Sequence, residues 1–222
     1  MSWLDGLRGK RSRDDDAPVR AIAGVELPLG LRPGGAVALD PTPFQVAGSE
    51  FGFVPPRGDV LIEAYGQIDL GAGAVLHRFY LSEDAFLQVN TTAGAIDGMK
   101  YFVFHETRNP DNQAAFRAWV EPGSLLGAQA QEIAGRRYLR VWGDSPGRAW
   151  VPPVAFEERV YRGRPPVLDY DLTHYAMLYQ REIPALGRTE SLLVSAEDYG
   201  PAEYCVVYSL GIDVTTADIE VT

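Results

Sequence analysis

The chain has 222 residues, of which 46% are hydrophobic and 23% charged, a composition typical of a folded globular protein. Its 30 acidic and 20 basic side chains give a formal net charge of -10, which disfavours nucleic-acid binding because phosphate recognition needs clustered basic residues. The single cysteine excludes an internal disulfide and a four-cysteine zinc site. With no apolar run of about 20 residues and no signal peptide, the sequence predicts a cytoplasmic protein without a cofactor or membrane span.

The first 20 residues differ in composition from the rest and predict a flexible tail. Residues 1–13 contain four basic side chains and one acidic one, so they carry +3 while the remainder carries -13. At helical spacing, apolar side chains would form a stripe beside the basic ones, a pattern that suits a partner groove or a membrane surface. The predicted contact residues are Trp3, Leu4, Leu7, Arg8, Lys10 and Arg11. A disordered tail explains the same residues, because Gly6 and Gly9 weaken any helix.

From residue 21 to residue 222 the chain predicts one globular domain of mainly β structure, with 23 glycines and 16 prolines spread among short extended runs. Antiparallel sheets or barrel-like modules are expected, and a subdivision near 162–168 is the alternative. Strands are predicted at 36–40, 44–47, 51–54, 60–68, 75–81, 86–90, 101–105, 138–142, 154–161, 175–181, 191–195, 204–209 and 218–221. Both alternating faces of 175–181 are apolar, so this strand should be buried on both sides.

One helix is predicted at 109–120, where Asn109 can cap the helix, Pro110 suits its first position and apolar residues follow at helical spacing. A loose repeat is also present, since 81–89 and 194–207 both read as strand, acidic turn and strand. Two related β modules would explain the repeat, and so would the chance recurrence of an acidic hairpin turn.

Charged side chains gather around the glycine-containing turn between Asp69 and Asp84. Two carboxylates on the same face of a strand can bind a cation or act as an acid and a base. Asp169 and Asp171 are two residues apart and would share a face, so they join the candidate residues of this site. The candidate ligand pocket therefore comprises Asp69, His77, Asp84, Asp169 and Asp171. Solvated turn charges and a hydrogen-bonded core histidine explain these residues equally well. Since no catalytic motif or metal-ligand spacing is present, no catalytic residue and no metal ligand are assigned.

Alternation along the predicted strands separates neighbouring charged residues. On 75–81, Arg78 shares one face with apolar residues and His77 shares the other. The two residues of the Glu157–Glu158 and Glu197–Asp198 pairs should point to opposite faces, and solvated edge or turn positions are expected for them. Cys205 lies in an apolar run and is interpreted as a buried small residue rather than a nucleophile.

Two blocks go beyond a generic β pattern: LPLGLRPGG at 27–35 and GQIDLGAGAVLHRFY at 66–80, which continues to Thr92. Together they resemble the YjfK-like family of bacterial proteins, a domain of unknown function. The resemblance implies a cytoplasmic protein, often encoded beside a PspA-like membrane-remodelling protein and small membrane proteins. In some cases it also implies an ATP-grasp ligase neighbour similar to glutathionylspermidine synthase. It implies no catalytic residues.

These observations lead to two main functional hypotheses. The first is a non-catalytic interaction or adaptor protein in a membrane-associated, PspA-like bacterial system, peripheral to the inner membrane. The second is a small-molecule-binding or enzymatic β domain that works with the ligase-like neighbour on a cationic ligand, which the acidic charge favours. A structural oligomer subunit is a third reading, and the sequence does not rank its stoichiometry.

Overall fold

The computed structural model describes residues 19–143 and 147–222. The predicted contact residues of the tail lie outside these ranges: Trp3, Leu4, Leu7, Arg8, Lys10 and Arg11. The strands are β1 (Ala21–Ile22), β2 (Val25–Glu26), β3 (Ala36–Leu39), β4 (Asp59–Gly71), β5 (Ala74–Leu81), β6 (Ala85–Thr92), β7 (Ala95–Arg108), β8 (Ala130–Ile133), β9 (Arg136–Arg140), β10 (Val154–Arg162), β11 (Val167–Ile183), β12 (Arg188–Asp198), β13 (Tyr204–Val214) and β14 (Ile219–Val221). The helices are α1 (Thr42–Ala47) and α2 (Gln113–Val120).

Eight antiparallel strands close into a barrel in the order β4, β5, β6, β7, β13, β12, β11 and β10, which confirms the mainly β prediction. The barrel consists of two four-stranded meanders, β4 to β7 and β10 to β13, joined where β7 pairs with β13 and where β10 pairs with β4. Residues 163–166 form the turn between β10 and β11, which pair along their length. Strands on both sides of 162–168 therefore belong to the same barrel.

The loose sequence repeat does not mark corresponding hairpins of the two meanders. Residues 81–89 lie in the second hairpin of the first meander, whereas 194–207 lie in the third hairpin of the second. An acidic turn between two paired strands is the feature that they share.

Alternate residues of the barrel strands face the lumen and the outer side, as the pleat of a strand requires. The guanidinium of Arg78 lies 5.4 Å from the ring centroids of both Phe86 on β6 and Phe156 on β10, so this face of β5 points into the lumen. On β11, Leu178 packs in the lumen, and Tyr179 packs against the outer layer. The prediction that this strand is buried on both sides is confirmed.

Flanking elements cover two parts of the outer side of the barrel. The short strands β1, β2, β3 and β14, with α1, pack over one part, where Leu31 and Val37 join outward-facing Phe79 and Tyr101 in one hydrophobic cluster. Helix α2 and the β8–β9 hairpin pack over the other part. The sequence analysis missed β1, β2 and β8, each only two to four residues long.

Two of the predicted strands are wrong. Residues 44–47 lie in α1, and 51–54 belong to no strand, with bends at 51–53. Pro43 suits the first turn of a helix, where its missing N–H is not needed. The aromatic residues that indicated strands instead pack on one another, with ring centroids 4.7 to 5.8 Å apart: Phe44, Phe51 and Phe53.

The predicted helix is present but begins later than expected. Asn112, not Asn109, caps α2, because its side chain accepts a hydrogen bond from the Ala115 N–H at 3.0 Å. Within the described residues, neither helix has the length and apolar character needed to cross a membrane.

Candidate functional site

A network of charged and polar side chains crosses the barrel lumen, centred on Glu158 of β10. This carboxylate is fully buried, and its Oε2 accepts a hydrogen bond from Arg78 Nη1 at 2.8 Å and lies 2.7 Å from His174 Nε2. Its Oε1 accepts a hydrogen bond from the Tyr80 hydroxyl at 2.8 Å. Both oxygens are therefore paired, which offsets the cost of burying the charge.

His174 links Glu158 to a second lumen carboxylate, Glu197 of β12. The Nδ1 atom of His174 lies 2.8 Å from Ser195 Oγ and 3.4 Å from Glu197 Oε1. Tyr199 donates a hydrogen bond to Glu197 Oε2 at 2.7 Å. When His174 is protonated, the two cations of the network balance its two carboxylates.

The neighbouring charges shift the pKa values of these groups. Burial favours the neutral form of Glu158, but the charge of Arg78 and the hydrogen bond from His174 outweigh it and lower the pKa of Glu158 to about 2. Burial and the charge of Arg78 oppose protonation of His174, yet its hydrogen bonds to Glu158 and Glu197 raise its pKa. Burial likewise favours neutral Glu197, but its hydrogen bond to His174 lowers the pKa. The lumen therefore favours two carboxylates and an imidazolium.

Gly66 of β4 provides the space that Glu158 occupies. Gly66 pairs with Arg78 on one side and with Val160 on the other. A Cβ atom at Gly66 would lie 1.7 Å from Glu158 Oε1 and 3.1 Å from the ring of Tyr80. Because both oxygens of Glu158 are held by hydrogen bonds, the carboxylate cannot move aside without breaking the network.

The network borders a cavity of about 340 Å³ at one end of the barrel. This volume lies at the lower end of the range of about 300–1,000 Å³ that is typical of small-molecule sites. We call this space the lumen cavity. The residues that give it its chemistry are Arg78, Tyr80, Phe86, Phe104, Arg162, Tyr170, Glu197 and Tyr199.

Cys205 lies at the lumen cavity with its Sγ 3.6 Å from Glu197 Oε2. Burial and the charge of Glu197 raise the pKa of its thiol to about 12. The thiol is therefore protonated at neutral pH, and Cys205 lacks the lowered pKa of a reactive cysteine.

The structure does not bring the five residues of the predicted ligand pocket together. Asp69 and Asp171 line one open groove on the outer side of the barrel. Asp84 lies in the turn between β5 and β6, with a φ of 49°. Asp169 forms an exposed ion pair with Arg162 at 3.2 Å.

His77, the fifth predicted residue, is buried in the outer layer of the barrel. Its Nδ1 lies 2.8 Å from the Tyr65 hydroxyl, and its Nε2 lies 3.0 Å from Thr91 Oγ1. Both partners are hydroxyl groups, which suit a neutral imidazole. Burial lowers the pKa of His77 to about 4, so this histidine stays neutral at physiological pH.

The sequence analysis missed Glu158 and Glu197 as site residues, and the solvated positions expected for them are wrong. Glu158 is fully buried, and only 9% of the surface of Glu197 is exposed. Alternation correctly separates each from its neighbour, Glu157 or Asp198, but it does not tell which face becomes the lumen. The available signal was Arg78 on an otherwise apolar strand face, since a buried guanidinium requires a carboxylate partner.

Comparison with known proteins places the chain in a family. A family model described as "Protein of unknown function (DUF2491)" matches residues 7–220. The chain belongs to the DUF2491 family. The uncharacterised protein YjfK of Escherichia coli (strain K12) is 28% identical over 203 residues, which cover 87% of this chain and 90% of YjfK. The YjfK-like resemblance is thereby confirmed, and no solved structure matches the chain.

We predict that Gly66→Ala lowers the free energy of unfolding by about 1–3 kcal/mol, because the added Cβ overlaps Glu158 Oε1. Gly98→Ala on β7 is the matched control, since nothing lies within 4 Å of a Cβ there, and its effect should stay within about 0.5 kcal/mol. Urea denaturation of both variants measures the difference. Equal stabilities would show that the space above Gly66 is not required.

We also predict opposite pH dependences for two buried histidines. His174 has a raised pKa, so its contribution to stability is present below about pH 6.5 and is lost as the pH rises through its folded value. His77 has a pKa lowered to about 4, so its contribution is present above about pH 6.5 and is lost as the pH falls toward 4.

Urea denaturation from about pH 4 to about pH 9 tests this prediction with wild type, His174→Gln and His77→Gln. The free energy of unfolding of wild type should fall above about pH 6.5 as His174 loses its proton, and this fall should be absent in His174→Gln. The free energy of unfolding of wild type should also rise between about pH 4 and 6.5 because His77 is neutral in the fold, and this rise should be absent in His77→Gln. Parallel profiles for the three proteins would contradict the assigned charge states.

Proposed function

We propose that this protein is a binding protein whose lumen cavity takes a small organic cation, such as an alkylamine. The observation that carries the proposal is the position of Glu197. Its side chain is 12% exposed and borders the lumen cavity, whereas the side chain of Glu158 is fully enclosed. A ligand that enters the cavity therefore meets a carboxylate that is ionised at neutral pH.

Aromatic rings beside Glu197 support a cationic ligand. The rings of Tyr170 and Tyr199 line the lumen cavity with their centroids 5.7 Å apart, and aromatic rings attract ammonium groups. Arg78 already packs over Phe86 and Phe156, so the lumen stabilises one cation of its own in the same way. The chain's formal net charge of -10 would also raise the local concentration of cations.

A cationic ligand is also what the second hypothesis from the sequence expects, but different residues would bind it. Of the carboxylates in the predicted ligand pocket, Asp69, Asp84 and Asp169 lie in separate places. Glu197, with the aromatic rings of the lumen cavity, replaces them. The proposal concerns binding and assigns no reaction.

Isothermal titration with spermidine and with putrescine tests the proposal. We expect binding to the full chain and at least about tenfold weaker binding to Glu197→Gln, which corresponds to about 1.4 kcal/mol. Glu132→Gln removes the same charge from an exposed position on β8 and should bind as wild type does. Tyr170→Leu, which removes a cavity ring without changing charge, should also weaken binding.

Two results would contradict the ligand proposal. One is the absence of heat from either amine at millimolar concentration. The other is equal weakening by Glu197→Gln and Glu132→Gln, which would reduce the effect to overall charge. Thermal unfolding of each variant shows whether the lumen remains folded.

We further propose an adaptor role at the cytoplasmic side of the inner membrane, in which the N-terminal segment contacts a PspA-like or small membrane protein. The family resemblance supports this setting. The segment's own composition supports the contact, since residues 1–13 carry +3 and their sequence also contains the apolar residues Trp3, Leu4 and Leu7. The barrel would then report the presence of its ligand to a membrane-associated partner.

Co-purification from detergent-solubilised native cells tests the adaptor proposal. The full chain should recover a PspA-like or small membrane protein, identified by mass spectrometry, and a chain without residues 1–16 should not. Trp3→Ala with Leu7→Ala should lose the partner, whereas Ser2→Ala with Ser12→Ala, from the same segment, should keep it. Recovery that is independent of the segment, or no recovery of such a protein, would contradict the proposal.

A further inference from the structure

A second concave surface lies on the outer side of the barrel, across β4, β10, β11 and β12. It has a volume of about 830 Å³, and we call it the acidic groove. The residues that give it its chemistry are Gln67, Asp69, Glu157, Arg159, Asp171 and Asp198. Strand pairing brings them together, because Arg159 lies opposite both Gln67 and Asp171. Four carboxylates against one guanidinium leave the groove with a formal charge of -3.

Gln67 gives the acidic groove a feature that surface charge alone does not provide. The residue is only 5% exposed, and it lines the groove. Its Oε1 is buried and has no hydrogen-bond partner among the described residues. Buried polar atoms in folded proteins are nearly always paired, so this oxygen is an acceptor that lacks a donor.

The carboxylates of the acidic groove are also available to a ligand. Within residues 19–143 and 147–222, the side-chain carboxylates of Glu157 and Asp171 have no hydrogen bond or ion pair. Asp69 and Asp198 each accept one backbone N–H through Oδ1, from Gly71 at 2.8 Å and Gly200 at 2.9 Å. Their second oxygens remain for an external donor.

The spacing of these groups defines the shape of the occupant. In the described part of the chain, no three His, Cys, Asp or Glu side chains lie close enough together to hold one metal ion. The negative charge is spread along the groove, so it matches several separated N–H cations better than one central ion. Lysine and arginine side chains on an extended peptide have this arrangement.

We propose that the acidic groove docks an extended, lysine- and arginine-containing segment of a partner protein, with Gln67 Oε1 accepting one of its N–H groups. This site is distinct from the lumen cavity, although Leu172 and Tyr199 line both. An anionic membrane surface does not fit, because the groove repels it.

Fluorescence anisotropy with a fluorescein-labelled hexapeptide of alternating lysine and arginine tests the proposal on the full chain. Asp69→Asn with Asp171→Asn should weaken binding at least about tenfold, which corresponds to about 1.4 kcal/mol. Glu121→Gln with Glu132→Gln removes the same charge from exposed positions outside the groove and should change the affinity less than about twofold. Gln67→Leu should weaken binding while leaving the protein at least as stable as wild type, because it removes an unpaired buried acceptor.

Three results would overturn the proposal. Equal weakening by the two double variants would show attraction to overall charge only. Unchanged affinity in Gln67→Leu would show that the buried oxygen receives no donor from the peptide. Loss of peptide binding in Glu197→Gln would place the peptide in the lumen cavity instead, whereas retained binding there separates this site from the amine site proposed above.

Discussion

The buried ion pair between Glu158 and Arg78 is the interaction on which the barrel depends. It joins β10 to β5 across β4, the strand at which the two meanders close. That closure uses only four residue pairs, from Arg159 opposite Gln67 to Arg162 opposite Ala64. Loss of either partner would leave an unpaired charge in the lumen, at a cost of about 3–5 kcal/mol. A glycine at position 66 follows from the same constraint, since no side chain fits between the closing strands and the carboxylate.

The network that stabilises the closure also sets the charge of the lumen cavity. His174 hydrogen-bonds on one side to Glu158 and contacts Glu197 on the other, so its protonation state depends on both carboxylates. A ligand cation next to Glu197 would supply positive charge that the imidazolium otherwise provides. Cation binding and protonation of His174 therefore oppose each other, and this linkage is reciprocal. The structural role of the network and its proposed binding role share the same atoms.

The sequence predicts features that depend on the local alternation of residues along a strand. It does not predict features that depend on how the strands close into a barrel. Alternation correctly separates Arg78 from His77, and the two apolar faces of β11 correctly indicate a strand buried on both sides. Neither pattern reveals that β10 pairs with β4, and that pairing closes the barrel around Glu158. The phenylalanines at 44–53 mislead for a related reason, because their apolar character serves packing between rings rather than strand pairing. The reason for a glycine at position 66 is visible only when Glu158, far away in sequence, packs against it in the fold.

His77 and His174 show how the two sides of one barrel wall differ in chemistry. Each is a lone histidine at an apolar position in the sequence, and each is 1% exposed in the fold. The ring nitrogens of His77 hydrogen-bond to hydroxyl groups, and burial keeps the ring neutral, whereas His174 lies between two carboxylates that favour its charged form. The surroundings of His77 therefore disfavour a charged imidazole, whereas those of His174 in the lumen favour one. The proposed site for a charged ligand accordingly lies at the lumen cavity, where Glu197, unlike Glu158, is partly exposed.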